Sequence, residues 1–424
     1  MRDQKSLDTA LPTALADARF ADLSPRDKAF ARLLAMTVLR HHGSLQVVID
    51  SFMQKPLTAN AQRIRMILAA GAAELILLSV PPHAAISMAV ELTRLSAKTR
   101  HFDRLTNAVL RRVSETGSEL FKQKAKAALN VPTWMYDGWC AAYGRDTAER
   151  IAAASLNEAA LDFTVKSDPI AWSDRLEAIA LPTGSLRRPA GGRIEDLQGY
   201  GEGAWWVQDA AAALPAKLLA PAPGQRVLDL CAAPGGKTAQ LSAAGADVTA
   251  IDMSADRLER LRTNLDRLNL EAQTIAADAT TWRTTERFDK ILIDAPCTAT
   301  GTIRRHPDIL HLKRHDDIDR LGDTQMRLLQ NAASLLTVGG TLVYCTCSLE
   351  PAECERRIDQ FVAGLNTTQL RFERQPITPA EIAHQAGWIT PAGDLRTFPY
   401  DLPNDTPALG GIDGFYAARL VRTS

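Results

Sequence analysis

The chain has 424 residues, of which 46% are hydrophobic and 23% charged, and its 49 Lys+Arg balance 49 Asp+Glu to a formal net charge of zero. This length predicts two or three domains, and the composition is globular, with apolar material for more than one core. A neutral total does not exclude nucleic acid as a partner, because binding depends on where basic residues cluster. The pairs Arg111-Arg112 and Arg187-Arg188, each taken alone, are interpreted as solvated surface.

Targeting segments, membrane spans and structural metal sites are not predicted. The N-terminal sequence has no apolar core of signal-peptide length, and no stretch of about 18 unbroken apolar residues occurs. Six cysteines are too few for a disulfide scaffold in a chain of this length, and no paired CxxC spacing indicates zinc. We therefore expect a cytoplasmic protein with reduced thiols, no metal and no membrane partner.

Residues 1–130 read as a helical domain. Ser24 is placed as a helix N-cap with Pro25 at the first helical position, and apolar residues then recur at helical spacing. Three segments of this part resemble the NusB-like RNA-binding fold: SPRDKAFARLL (24–34), AAGAAELILLSVPPHAAISMAVEL (69–92) and LTNAVLRRV (105–113). The resemblance favours a role in contacting RNA over a bundle that only packs on its neighbour.

Residues 131–205 are predicted to be a connector and a small α/β subdomain. The helical pattern breaks near Val131-Pro132, a helix is predicted over 147–154, and LDFTVKS (161–167) is a strand candidate.

Residues 206–424 show strands alternating with helices. The predicted strands are RVLDL (226–230), VTAID (248–252), IAADA (275–279), KILIDAP (290–296) and TLVYCTCS (341–348). This alternation predicts a Rossmann-like α/β domain with a parallel sheet, in which ligands bind at the carboxyl ends of the strands.

A nucleoside-type cofactor site is predicted at those strand ends. Gly235 and Gly236 lie in a turn between the first strand and a helix, where the backbone can approach a ligand closely. A Gly-Gly turn alone is weak evidence, and a single Asp after a strand is commonly a helix cap. Four acidic residues at successive strand ends favour the cofactor instead; they are Asp229, Asp252, Asp278 and Asp294.

Cys297 directly follows the fourth predicted strand, and Cys347 lies at the end of the fifth, beside this site. A lone cysteine is usually a small buried hydrophobe, but two at adjacent strand ends indicate chemistry. One reaction that needs such a thiol is methylation of cytosine at carbon 5, because this carbon is too weak a nucleophile to attack a methyl sulfonium. A thiolate that adds to carbon 6 turns the ring into an enamine and so activates carbon 5. Asp294 is placed to stabilise such an adduct at the ring nitrogen.

Five segments resemble the Nol1/Nop2/Sun family of RNA cytosine-5 methyltransferases over roughly residues 130–424. They are WVQDAAA (206–212), DLCAAPGGKT (229–238), DAPCTATGTIRRHPDI (294–309), YCTCSLEPAECE (344–355) and GFYAARL (414–420). The resemblance implies an α/β Rossmann-like class I methyltransferase domain that uses S-adenosylmethionine, with an all-α NusB-like N-terminal domain. Ala299 departs from the family pattern, where Gly is common.

The resemblance also implies roles for individual residues. Cys347 would be the nucleophile, Cys297 would help release the product, and Lys237 would face the active site. Asp252 and Arg257 would hold the ribose, Asp278 the adenine side, and Asp294 the methionine end and the target base. The cofactor loop would consist of seven successive residues, which are Cys231, Ala232, Ala233, Pro234, Gly235, Gly236 and Lys237. Cys345 and Cys354 are interpreted as structural.

The combined resemblance implies small-subunit (16S) ribosomal RNA as the substrate, and we expect the enzyme to be a monomer. The cluster Arg304-Arg305-His306 follows the Cys297 loop and is predicted to contact substrate phosphate. Three alternatives stay open: a transfer RNA cytosine-5 methyltransferase, a DNA cytosine-5 methyltransferase that uses the Pro296-Cys297 pair, and a non-catalytic RNA-binding assembly factor. The TCS segment argues against the DNA enzyme, and the retained cysteines argue against the assembly factor.

Overall fold

The computed structural model describes residues 5–55, 57–58, 61–365 and 370–424. These residues form two compact units. The first contains the described chain up to Leu156 together with His306–Lys313, and the second contains Asn157–Arg305 and Arg314–Ser424. Within the described ranges, no helix is both long and apolar enough to cross a bilayer.

The first unit is helical. Its helices before residue 157 are α1 (Leu7–Leu15), α2 (Pro25–Arg40), α3 (His42–Ser51), α4 (Gln62–Ile76), α5 (Pro82–Arg94), α6 (Asp103–Lys124), α7 (Thr133–Tyr143) and α8 (Arg145–Ser155). Helices α7 and α8 fall in the segment that the sequence assigned to the connector.

Helix α2 begins as its sequence predicts. The Ser24 hydroxyl accepts a hydrogen bond from the Asp27 N–H at 3.2 Å, and the Asp27 carboxylate accepts one from the Ser24 N–H at 3.2 Å. This reciprocal capping box satisfies two N–H groups that a helix start leaves unpaired. The core of the unit is formed by α3 to α6, where Leu45, Leu68 and Leu110 are fully buried.

The second unit holds two sheets. Its strands are β1 (Leu161–Val165), β2 (Ile179–Ala180), β3 (Leu186–Arg188), β4 (Trp205–Val207), β5 (Arg226–Leu230), β6 (Asp247–Asp252), β7 (Gln273–Ala276), β8 (Phe288–Asp294), β9 (Leu336–Thr346), β10 (Phe372–Arg374), β11 (Leu395–Thr397) and β12 (Phe415–Arg422). The later helices are α9 (Pro169–Arg175), α10 (Leu214–Leu219), α11 (Gly236–Ala243), α12 (Ala255–Arg267), α13 (Ile309–Leu312, in the first unit), α14 (Asp316–Leu335) and α15 (Glu355–Gly364).

The smaller sheet has the order β2-β3-β1-β4 and is antiparallel. It encloses a small aromatic core in which Phe163 and Trp205 are fully buried and meet edge to face at 4.8 Å between ring centroids. Such edge-to-face pairs contribute about 0.5–1.5 kcal/mol beyond area burial.

The larger sheet has the order β10-β12-β9-β8-β5-β6-β7, with β11 also paired to β12. Strands β9, β8, β5, β6 and β7 are parallel, and β12 joins antiparallel to β9. Residues of one strand alternate between two apolar layers, since Leu228 and Leu230 pack with α14 and α15 whereas Val227 packs with α10. The predicted Rossmann-like fold is therefore confirmed.

The sheet topology brings the predicted functional segments to one edge. Strands β5, β6, β8 and β9 are parallel neighbours, so their carboxyl ends meet there. The strand order reverses at β5, because β6 lies on one side of it and β8 lies on the other. Ligands of open α/β sheets bind outside the carboxyl ends at such a switch point.

Candidate active site

The loop between β5 and α11 is held in an unusual backbone conformation. Cys231 has φ +62° and Gly235 has φ +105°, both in the left-handed region. A Cβ on Gly235 would lie 2.8 Å from Leu261 Cγ on α12, so the turn needs glycine for its backbone angle and for space. Ala232 and Ala233 are buried, which fixes the loop against the domain core.

Asp252 at the end of β6 ties this loop to the next helix. Its carboxylate accepts hydrogen bonds from the N–H groups of Ala233 at 3.2 Å and Ser254 at 3.0 Å, and Arg257 Nη1 lies 3.3 Å from Oδ2. Arg257 also donates to the Ala233 carbonyl. A carboxylate offers about four acceptor positions, and these three partners leave one, on a side chain that is only 2% exposed.

Asp229 and Asp278 occupy opposite environments. Asp229 is fully buried, its Oδ2 accepts from Thr238 Oγ1 at 2.6 Å, and burial raises the pKa of its carboxyl group to about 7. Asp278 lies two residues beyond β7 and is exposed. Hydrogen bonds from the Thr280 hydroxyl and N–H lower the pKa of Asp278. The four acidic residues at the strand ends are thus not equivalent.

Lys237 and Asp294 form an ion pair at the end of β8. Lys237 Nζ lies 2.7 Å from Asp294 Oδ2, and it also lies 5.2 Å from the centroid of the Phe415 ring. Burial by itself lowers the pKa of Lys237, but the Asp294 carboxylate outweighs it and holds that pKa above its usual value. The ammonium group therefore stays charged at neutral pH. The thiol of Cys345, on β9, lies 3.7 Å from Asp294 Oδ1.

The two predicted catalytic cysteines are brought together. Cys297 Sγ and Cys347 Sγ are 3.5 Å apart, although 50 positions separate them in sequence. The hydrogen bond to Cys347 and then burial raise the pKa of Cys297 well above that of a free thiol. Cys297 is therefore a protonated thiol at neutral pH. By contrast Cys345 and Cys354 are fully buried, as expected of structural cysteines.

A buried carboxylate that the sequence did not single out lies behind these cysteines. Glu353 is fully buried and accepts hydrogen bonds from Thr298, which follows Cys297, and from Ser348, which follows Cys347. The signal that could have found it is its position within the same short segment as Cys347. Sequence periodicity alone cannot show that a glutamate near a turn is turned inward.

The predicted phosphate contact of Arg304-Arg305-His306 is wrong for the two arginines. Arg304 is 2% exposed, and Arg305 lies 2.5 Å from Asp209 Oδ2 and 3.0 Å from Asp413 Oδ2. Such paired guanidinium groups hold the protein's own segments together. His306 lies in the first unit, where its Nδ1 is 3.3 Å from Asp8 Oδ2.

Arg187 was also misinterpreted as solvated surface. Its side chain is 1% exposed and makes a two-pronged ion pair with Asp162, at 2.6 Å and 2.7 Å. Charged residues are buried in this way only when they are paired, so the sequence pattern of two adjacent arginines could not distinguish the two environments.

Among the residues that the structure describes, no group of three or more His, Cys, Asp or Glu side chains is arranged to hold a metal ion.

Comparison with known proteins identifies the family. Residues 216–421 match the family described as 16S rRNA methyltransferase RsmB/F, and residues 1–115 match the NusB family. A protein of Shewanella oneidensis named ribosomal RNA small subunit methyltransferase B is 33% identical, over 98% of this chain and 95% of its own length. A protein of the same name from Pseudomonas putida is 35% identical, over 98% of this chain and 94% of its own length.

The fold is also found among solved structures. The crystal structure of a protein called PH0851 superimposes with a TM-score of 0.75 and 22% identity, covering 97% of this chain and 93% of that one. The chain is therefore a methyltransferase of the RsmB/F family, with a NusB domain at its N-terminus.

Proposed function

We propose that this protein transfers a methyl group from S-adenosylmethionine to carbon 5 of a cytosine in 16S ribosomal RNA through a covalent adduct with Cys347. The observation that carries the proposal is the 3.5 Å approach of the Cys297 and Cys347 sulfur atoms. A methyltransferase that acts on a ring nitrogen or on a hydroxyl group has no need of a paired thiol. An aromatic carbon that must be activated by addition does need a nucleophile.

The residues at the carboxyl edge fit S-adenosylmethionine. Asp252 has acceptor capacity left for a ribose hydroxyl, and Arg257 supports it from α12. Asp278 is exposed beyond β7, where it is proposed to hold the adenine side. The loop from Cys231 to Lys237 would border the methionine portion with its backbone. Bound there, S-adenosylmethionine would supply an electrophilic methyl group.

Cys347 is proposed to add to carbon 6 of the target cytosine. The thiolate forms the sulfur–carbon bond, and the electron pair of the carbon 5–carbon 6 double bond becomes available at carbon 5. Carbon 5 would then take the methyl group from the sulfonium, which would leave as the thioether S-adenosylhomocysteine, and would briefly carry both the methyl and its original hydrogen. Loss of that proton to a base re-forms the double bond and expels the Cys347 thiolate, which restores the enzyme.

Asp294 and Lys237 are proposed to orient the base and to balance charge. Asp294 lies at the end of β8 and is one-third exposed, so part of its carboxyl group can meet a substrate. Lys237 Nζ, 2.7 Å away, fixes the orientation of that carboxyl group. A preorganised charge of this kind stabilises an adduct without reorganisation during the reaction.

Cys297 is proposed to assist release of the product. Because its pKa is raised, the thiol keeps its proton and can share it with Cys347 across 3.5 Å. That proton stabilises the sulfur that leaves carbon 6. Without it, the adduct between enzyme and RNA would persist.

The substrate is inferred from the relatives. The proteins of Shewanella oneidensis and Pseudomonas putida carry the name ribosomal RNA small subunit methyltransferase B, and both align over nearly their full length. The NusB-family domain is proposed to contribute RNA contacts. A target inside a helix would have to be flipped out or already unpaired, because the enzyme must reach both faces of the ring.

The test is methyl transfer from labelled S-adenosylmethionine to protein-free 16S ribosomal RNA by the wild type, Cys347→Ala and Cys297→Ala. We expect Cys347→Ala to abolish transfer while it keeps cofactor binding. We expect Cys297→Ala to accumulate a covalent RNA adduct, visible as a band of reduced mobility in denaturing gels. Cys140→Ala, at a cysteine of the first unit, is the matched control and should behave as the wild type.

Two results would contradict the proposal. Full activity in Cys347→Ala would remove the nucleophile assignment. A covalent RNA adduct that forms in Cys347→Ala but not in Cys297→Ala would assign the nucleophile to Cys297 and favour the Pro296-Cys297 chemistry of a DNA cytosine methyltransferase. Transfer to transfer RNA but not to 16S ribosomal RNA would keep the chemistry and change the substrate.

A further inference from the structure

Glu353 connects the two segments that carry Cys297 and Cys347. Its Oε1 accepts from the Thr298 N–H at 2.9 Å and from Gln325 Nε2 at 3.3 Å. Its Oε2 accepts from the Thr298 hydroxyl and from the Ser348 hydroxyl, each at 2.5 Å. Each of the two cysteines is thus followed directly by a residue that donates to one carboxylate.

The carboxylate itself is anchored from behind. Glu353 is fully buried in the single turn Pro351–Glu353, and its backbone carbonyl accepts from the hydroxyl group of Tyr344 at 2.8 Å. Tyr344 is fully buried on β9. Gln325 reaches Glu353 from α14 and donates to the Pro296 carbonyl as well, at 3.0 Å. Glu353 is therefore fixed through its backbone to β9 and through its carboxylate to α14, and not only to the two loops.

The Cys347 segment has a second support on the same side. Arg396 Nη1 donates to the Ser348 carbonyl at 2.7 Å, and its guanidinium group pairs with Glu355 at 2.8 Å. Ser348 is thus held by its side chain through Glu353 and by its backbone through Arg396. In the Cys297 segment, the Thr298 hydroxyl donates to the Glu353 carboxylate.

We propose that Glu353 is a positioning residue that sets the separation of the Cys297 and Cys347 sulfur atoms by holding Thr298 and Ser348 on one buried carboxylate. This inference rests on the proposed function, because it concerns the two cysteines to which that function assigns the chemistry. Glu353 touches neither sulfur through a hydrogen bond in the structure, so its effect passes through the neighbouring residues. Burial also raises the pKa of its carboxyl group, although the hydrogen bonds oppose that shift.

Two substitutions separate positioning from charge. Glu353→Ala removes every acceptor and leaves the Thr298 N–H buried without a partner. Glu353→Gln keeps a carbonyl oxygen at the Oε1 position for the Thr298 N–H. Its amide nitrogen takes the Oε2 position and donates to the hydroxyls of Thr298 and Ser348, which can rotate to accept. A positioning role therefore predicts rescue by glutamine, and a role in proton transfer does not.

A thiol readout that needs no methyl transfer reports the separation directly. Phenylarsine oxide bridges two thiols that lie close together, so its affinity measures how well the cysteines are juxtaposed. We expect Glu353→Ala to weaken arsenical binding about tenfold or more and to lower kcat by about 100-fold, as a displacement of about 1 Å can. Glu353→Gln should stay near the wild type in both, and the Kd for S-adenosylmethionine should not change in either variant.

The controls use the same chemistry elsewhere in the second unit. Glu381 accepts from the N–H and the hydroxyl group of Thr378, at 2.9 Å and 2.8 Å, and pairs with Arg419. Glu381→Ala should therefore leave arsenical affinity and kcat unchanged. Cys297→Ala defines the arsenical affinity of an enzyme that lacks the thiol pair. If Glu353→Ala does not fold, Thr298→Val and Ser348→Ala each remove one hydroxyl and should give the same changes at smaller size.

Three outcomes overturn the proposal. If kcat of Glu353→Gln is as low as that of Glu353→Ala, the carboxylate has a role as a charge or in proton transfer. Glu353→Ala with wild-type arsenical affinity and kcat would leave it no role, and so would wild-type values in both hydroxyl variants. If the wild type methylates no RNA, the proposed function fails, and the arsenical affinities still decide whether Glu353 sets the thiol separation.

Discussion

The Lys237 side chain is charged although it is only 10% exposed, and the Asp294 carboxylate neutralises that charge. Replacing Lys237 with Met keeps the length of the side chain but leaves the Asp294 carboxylate without its counter-ion. We expect kcat for methyl transfer to fall by about 100-fold, the size found when one preorganised charge is removed from an active site. Single-turnover kinetics at saturating cofactor would measure it.

The matched control for that substitution is Lys217→Met. Lys217 lies at an exposed position of the second unit, its Nζ donates to the Thr183 carbonyl, and partial desolvation of the ammonium group lowers its pKa. Its removal should change stability and leave the rate of methyl transfer as in the wild type. Equal rates for Lys237→Met and the wild type would remove Lys237 from the proposed machinery.

Ala299, where the family commonly has Gly, lies in a backbone conformation that is unfavourable for a residue with a Cβ atom. It directly precedes the turn Thr300–Thr302 and has φ +59° and ψ 25°, which is left-handed backbone. A residue with a Cβ is disfavoured there by about 1–2 kcal/mol, whereas glycine is not. We expect Ala299→Gly to raise the free energy of unfolding by up to about 1 kcal/mol, after allowance for the greater entropy of glycine in the unfolded chain. Urea titration would measure the change, and a loss of stability would contradict it.

At the scale of single residues, the sequence found the cysteines but not their supports. Cys297 and Cys347 could be predicted because each lies at the end of a recognisable strand. Glu353 could not, because its importance comes from turning inward to meet Thr298 and Ser348. The arginine clusters failed for a related reason, since adjacent charges look the same in sequence whether they face solvent or a buried partner.

The loop proposed to border S-adenosylmethionine joins β5 to α11 and packs against the neighbouring helix α12 through Gly235 and Leu261. Gly235→Ala would force a side chain into left-handed backbone and place its Cβ 2.8 Å from Leu261 Cγ. We expect stability to fall by about 1–3 kcal/mol and the affinity for S-adenosylmethionine to fall at least about tenfold, because the loop must move. Thermal unfolding and calorimetric titration would measure the two effects.

Gly224→Ala separates backbone strain from loss of space. Gly224 has φ +78°, but a Cβ there would meet no atom within 4 Å. It should cost about 1 kcal/mol of stability through strain alone and leave cofactor affinity unchanged. The same loss of affinity in both variants would show that the contact between the loop and α12 does not shape the cofactor site.

Strand and helix positions in the second unit were largely predictable. The predicted strand 226–230 is β5, and α12 begins after Ser254, whose Oγ accepts from the Arg257 N–H as a helix N-cap does. Buried parallel strands are short apolar runs, which sequence displays directly. In the first unit, helix α3 was not singled out from the sequence. Its buried hydrophobic residues are Leu45, Val48 and Ile49, and they are flanked by residues of weak helical preference.

The stability of the second unit should depend on pH through Asp229. Its pKa is raised from 3.8 to about 7 in the folded protein, so the folded state binds this proton more tightly than the unfolded chain. The contribution of Asp229 is therefore complete below about pH 4 and is lost as the pH rises to about 7. At about 1.4 kcal/mol per pKa unit, the loss is at most about 4 kcal/mol.

Asp229→Asn tests this dependence because asparagine resembles the protonated carboxyl group at every pH. We expect the stability of Asp229→Asn relative to the wild type to increase between pH 5 and pH 8, measured by denaturant titration without cofactor. Asp247→Asn, at an exposed position on β6, should show a constant difference over this range. A constant difference for Asp229→Asn as well would mean that the buried carboxyl group titrates as if it were in water.

The sequence by itself determined the two kinds of structure in this protein, the family, and which two cysteines lie at strand ends. These are local properties, because periodicity, capping residues and short sequence segments can be recognised from the order of the residues alone. Only the tertiary structure decided which side chains meet. It brought Cys297 and Cys347 together, buried Arg187 in an ion pair, paired the partly exposed Arg305 with two buried aspartates and placed Glu353 behind both cysteines. Burial and pairing depend on residues far apart in the chain, and their energies are set only when the sheet and its loops are assembled.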